Sequence, residues 1–114
     1  MTADTITAHL LASPLPAGYV IPEELKNAIA LAITWASDNP SNSMNKHCAY
    51  TYLVNIPQAI LEGHEMFSNG TPTERCAKGL RFQLNYVLAN CQGYRGEDAR
   101  FVKKVFKEFI NNEN

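Results

Sequence analysis

The side chains able to do acid–base, nucleophilic or metal chemistry are few: His47-Cys48 and the run Glu62-Gly63-His64-Glu65. A structural or catalytic zinc needs ligands at spacings that bring them together, such as Cys-x-x-Cys or His-x-x-x-His. Neither cluster has such a spacing, and His64-Glu65 lacks the second histidine of a zinc-protease helix. Glu62 and Glu65, three residues apart, could pair as carboxylates, but exposed acids near a helix end are a commoner source of that pattern. Cys48 and His64 have the residue types of a nucleophile and its base, and nothing beyond type joins them. The expectation is a chain without catalytic residues, metal or cofactor.

The three cysteines, Cys48, Cys76 and Cys91, are an odd number in a chain with no secretory signal, which argues against a disulfide framework. Cys76 and Cys91 read as small buried hydrophobes.

Binding chemistry is better represented. Residues 1–70 hold two basic residues against six acids, a net of −4, and residues 71–114 hold eight against five, a net of +3. Near neutrality overall hides this split. In the second half, Arg100, Lys103, Lys104 and Lys107 fall opposite the apolar stripe of one helix, so four cations share one exposed face. Such a face suits phosphate or an acidic protein. It is equally what a solvated amphipathic helix looks like, with Glu108 placed to screen Lys104.

The preceding helix carries Arg75, Lys78, Phe82 and Tyr86 opposite its own core stripe. Aromatics among cations suit base stacking, and they suit a protein interface, whose core favours Tyr, Phe and Arg. The bland alternative is a helix buried on two sides. Between the two helices, Asn90-Cys91-Gln92-Gly93-Tyr94-Arg95-Gly96 could present Tyr94 and Arg95 at a loop tip. Otherwise Gly93 ends one helix, Gly96 begins the next, and Arg95 bonds the exposed carbonyls.

The elements that must position these residues are helical. Pro14, Pro16, Gly18 and Pro22 mark residues 1–21 as an extended N-terminal arm with at most a short turn around Thr7–Ala12. Its apolar residues, among them Leu10, Tyr19 and Ile21, would lie along the body. Pro22-Glu23-Glu24 opens a helix to about Ser37: proline suits the first turn, and the acids complement the positive end of the helix dipole. The run Ala28–Ala36 is apolar nearly all round, which implies a central buried helix.

After a polar loop at Asn39–Ser43, a helix from near Ser43 carries Met44, Cys48, Tyr52 and Ile56 at four-residue spacing. Pro57 breaks or kinks it because proline removes a hydrogen bond and crowds the preceding turn. A shorter helix then runs to about Phe67. Thr71, Pro72 and Glu74 form a capping box, followed by Cys76, Ala77, Leu80, Leu84, Val87, Leu88 and Cys91 on one face, with Gly93 as the stop. The last helix spans Gly96 to about Asn111, its stripe made by Phe101, Val102, Val105, Phe106, Phe109 and Ile110. No segment alternates with the period of a strand.

The fold class is therefore all-α: a compact bundle of four to five helices over residues 22–114, one domain, with the arm at 1–21. The longest apolar run falls far short of the ~20 residues of a membrane span, so a cytoplasmic protein with no membrane partner is expected. No family is recognised; in general type the chain resembles small helical phage proteins, mobile-element cargo, toxin-neutralising proteins and small subunits of nucleoprotein complexes, a likeness that gives no residue a role.

The expected function is a non-enzymatic interaction protein. It would bind another protein or itself, as a twofold homodimer, through Arg75, Lys78, Phe82, Tyr86, Tyr94 and Arg95. The alternative is a nucleic-acid module using Arg100, Lys103, Lys104 and Lys107, against which the sequence pI of 6.3 counts. A third is an enzyme whose site is assembled across helices.

Overall fold

Four helices pack in a closed ring, each against two neighbours. In the computed structural model, which describes residues 3–12, 14–38 and 44–112, these are α2 (Glu23–Ser37), α3 (Met44–Val54), α5 (Pro72–Ala89) and α6 (Glu97–Asn111). α2 packs on α3 and α6, α5 packs on the same two, and α2 and α5 stand on the diagonal. Two further helices lie outside the ring: α1 (Ala3–Ala12) on α2, and α4 (Ile56–Met66) on α5. The expected Asn39–Ser43 loop, and the helix start near Ser43, lie outside the described residues.

α2 is the central helix that its apolar run implies. Leu25, Ala28, Ile29, Ala32, Ile33 and Ala36 are all buried. Alanines at three of these six positions let α1, α3 and α6 approach it closely. Phe106, Val102, Leu80, Leu84 and Leu53 complete the core from the facing helices. The radius of gyration of 13.5 Å matches the ~13 Å expected of one domain of this length.

The N-terminal segment is a helix where an extended arm is expected. Proline restricts itself and the residue before it, so Pro14 and Pro16 leave residues 3–12 free to be helical. A short 3₁₀ turn, Pro16–Gly18, follows, with Ala17 in the left-handed region at φ 56°. Leu10, Tyr19 and Ile21 are buried, so the segment does lie along the body.

Pro57 divides α3 from α4. The break is a single turn residue, Asn55, and the proline sits within the first turn of α4, where its missing N–H has no partner to lose. On α3 the buried positions are Ala49 and Leu53, one residue round from the Met44–Cys48–Tyr52 column, which leaves Met44 in solvent. Thr71 caps α5 as its spacing predicts: its hydroxyl accepts from the Glu74 backbone N–H at 3.1 Å.

α5 ends at Ala89, four residues before Gly93. The Asn90 side chain donates to the Tyr86 carbonyl and the Gln92 side chain to that of Ala89, so polar side chains close the helix. Gly93 has no left-handed backbone; Gly96, at φ 105°, does, and it turns the chain into α6.

Candidate functional site

The residues of greatest chemical potential do not assemble. Among the described residues, no three His, Cys, Asp or Glu side chains come together as a metal ion would require. Neither His47 nor His64 lines any of the four surface clefts discussed below. Cys76 and Cys91 are buried and Cys48 is half-buried, all as free thiols. Burial pushes the Cys91 thiol up to about 11 and raises that of Cys76, so both are held protonated and unreactive.

Of the six residues expected at a partner face, two are structural. Tyr94 is 5% exposed, in the core and not at a loop tip. Its ring stacks on Trp35 at 4.5 Å between centroids, and its hydroxyl donates to the Leu31 carbonyl at 3.4 Å. Burial, reinforced by Asp98, pushes this phenol up to about 12. The loop thus folds inward and pins α2; Arg95 stays exposed, and the carbonyls it was expected to bond are taken by Asn90 and Gln92.

Arg75 is half-buried, its guanidinium donating to the carbonyls of His64 at 3.1 Å and Gly70 at 2.9 Å. It ties down the α4–α5 loop and is not free to reach a partner.

Lys78, Phe82 and Tyr86 are on the surface together. Phe82 is 51% and Tyr86 54% exposed. Each is held by a second ring: Phe82 stacks on Phe67 at 5.8 Å, and Tyr86 on Tyr52 at 5.1 Å. The Lys78 ammonium lies 4.5 Å from the Phe67 centroid. Such stacking fixes rotamers, so little side-chain entropy remains to be lost when this surface is covered.

The floor beside them is made by glycines. α4 and α5 form a hairpin, the most extensively packed pair in the molecule. A Cβ placed on Gly63 would sit 2.7 Å from both the Gly79 Cα and the Arg75 carbonyl oxygen. No such separation is tolerated, so both positions must lack a side chain. The resulting groove, about 200 Å³, has Ala59, Gly63 and Gly79 in its floor, Glu62 and Met66 on its α4 wall, and Phe82 and Tyr86 on its α5 wall. Met66 is 77% exposed. On the far side of Phe82 lies a second cleft of about 160 Å³, lined by Lys78, Arg81, Asn85 and Ile110. A more polar cleft at Tyr52, Asn55, Gln58 and Gln83 continues the groove past Ala59 and Glu62.

Sequence reasoning finds Phe82 and Tyr86 but misses Glu62, Met66, Phe67 and the two glycines as parts of one surface. Glycines sixteen residues apart on either side of a helix break are the one signal that could have joined them.

The α6 cations line an open, shallow surface with Asn111 and Asn112, sharing no residue with the aromatic groove. Lys103 donates to the Tyr94 carbonyl at 2.7 Å and so braces the loop. Lys104 lies 4.0 Å from Glu108. Arg100 and Lys107 remain without an ion-pair partner among the described residues. No helix there is long and apolar enough to cross a membrane.

No family model, no curated protein and no solved structure matches this chain.

Proposed function

We propose that this chain is an interaction protein without catalytic activity, and that it binds another protein or a second copy of itself through the outer face of the α4–α5 hairpin. One observation carries the reading. Among the described residues six large hydrophobic side chains are left exposed, and three of them (Met66, Phe82 and Tyr86) line a single groove. Scattered exposed apolar residues need no explanation, but a contiguous aromatic cluster with charged residues at its rim has the composition of an interface core. The glycine floor lets a partner side chain sink between Glu62 and Phe82, and the stacked rings pre-organise the wall it meets.

Nucleic acid on α6 is the weaker reading. Its support is the exposed trio Arg100, Lys104 and Lys107 with Phe101 exposed on the same helix, but Phe82 and Tyr86 lie in a different groove, Tyr94 is buried, and Lys103 is engaged with the backbone.

The test places a photo-reactive phenylalanine at position 82, at position 86, and at Asn27 on the exposed surface of α2 as a control. Irradiation of cells making the chain should give discrete adducts at 82 and 86 and none at 27. No adduct at either aromatic position, or equal adducts at 27, would contradict the reading.

A further inference from the structure

We infer that the occupant of the α4–α5 face is a second copy of the same face, related by a twofold axis that runs parallel to α5 along the Phe82–Tyr86 ridge. This deepens the proposed function and rests on it. The warrant is that residues of opposite charge stand on the two edges of the face, on the same turns of the hairpin.

Helical phasing sets the edges. Taken from Phe82, Gly79 lies about 60° round toward α4, while Lys78 and Arg81 lie about 40° and 100° the other way. The clefts agree: Gly79 is in the floor shared with α4, and Lys78 and Arg81 line the cleft on the opposite side of Phe82. One edge of the face is therefore cationic. The other edge is the α4 wall, where Glu62 stands.

The hairpin sets the level. Gly63 packs directly against Gly79, so Glu62 lies beside the turn of α5 bounded by Lys78 and Arg81. Among the described residues neither cation has a carboxylate partner, Lys78 resting only over the Phe67 ring, and the Glu62 carboxylate accepts a long bond of 3.3 Å from Gln58.

An axis lying in the interface and parallel to α5 exchanges left edge for right edge without changing level. Glu62 of one copy then faces Lys78 and Arg81 of the other, twice over, and Phe82 and Tyr86 meet their own counterparts at the centre. This is the self-complementary arrangement a closed dimer requires, with an apolar centre and charge pairs at its rim. An axis perpendicular to α5 would leave each edge facing its own kind, with cation against cation.

Sedimentation of the full 114-residue chain tests it. Wild-type protein should be a dimer at micromolar concentration, and Phe82→Ala should weaken it by about 30-fold, as loss of a central aromatic does. Glu62→Lys alone sets Lys against Lys78 and Arg81. Lys78→Glu with Arg81→Glu sets acid against Glu62. Each of these variants should be monomeric by itself, and an equimolar mixture of the two should form a heterodimer, because both edge contacts are then of opposite charge. That recovery also shows that both variants are folded.

A wild-type chain that stays monomeric at every concentration, a dimer indifferent to Phe82→Ala, or a mixture that fails to pair would overturn the inference. The two levels of failure are separable. A monomeric chain that still cross-links through position 82 to a protein of different mass overturns the second copy and leaves the binding face standing. A monomeric chain with no adduct at 82 or 86 overturns both.

Discussion

Tyr94 shows what a residue's type conceals. Flanked by glycines and followed by arginine, it looks displayed; in the fold it stacks on Trp35, the only tryptophan, and closes the loop onto α2. Its one trace in the sequence is a large ring three residues from Cys91, another buried group whose carbonyl accepts from the Tyr94 N–H. Truncation to alanine should cost about 3 kcal/mol in urea unfolding, whereas Tyr94→Phe, which loses only a 3.4 Å hydrogen bond, should cost about 1 kcal/mol or less.

The same burial gives the protein an alkaline limit. Cys91 is raised from 9.0 to about 11, and Tyr94 and Tyr19 from 10.0 to about 12, in each case chiefly by burial. A group whose folded pKa is raised contributes stability that is complete below its unfolded pKa and is lost as pH rises toward the folded value. Unfolding free energy should therefore begin to fall above about pH 9 and keep falling to about pH 12, and Cys91→Ala should make the first part of that slope shallower, leaving the share of Cys76. A stability profile flat across this range would contradict the burial of all three groups.

At the scale of elements, what is legible is what local chemistry dictates. The Thr71–Glu74 cap, the apolar run of α2 and the break at Pro57 each follow from one helix considered alone, and so does the stripe of α6 except at Phe101, which is 37% exposed while Ala99 takes a buried place. The helical residues 3–12 are obscured by prolines that act only downstream of them. The phase of α3 is set by which side meets α2 and α5, so a column of four-residue spacing there does not identify the buried face. The end of α5 depends on two side-chain amides where a glycine drew attention.

The binding groove is least legible because it belongs to a pair of helices. Its depth comes from Gly63 and Gly79 meeting across the hairpin, a contact no single-helix pattern contains. Gly79→Ala drives a methyl group against the Ala59 carbonyl oxygen and should cost about 1–3 kcal/mol by calorimetry. Gly93→Ala meets nothing within 4 Å and should be neutral, or stabilising by up to about 1 kcal/mol through the unfolded chain. Equal effects at the two sites would show that the hairpin does not cross as closely as described.

For the molecule as a whole, the fold redistributes a charge imbalance that the sequence displays as two halves. Ion pairs such as Lys26–Glu23 and Lys104–Glu108 lie within single helices and neutralise charge locally. Lys103 and Arg75 are spent on backbone carbonyls. What remains beside the groove aromatics is Lys78 and Arg81 on one edge of a face and Glu62 with Met66 on the other, with Phe82 and Tyr86 between. The measurement that bears most directly on this face is hydroxyl-radical footprinting, comparing the chain inside cells with the purified chain at high dilution. Met44, 75% exposed on α3 and outside the clefts, serves as an internal standard for Met66, 77% exposed on the groove wall. A protein-binding face predicts that Met66, Phe82 and Tyr86 are protected in cells relative to Met44; oxidation of Met66 and Met44 in the same ratio in both settings would contradict it.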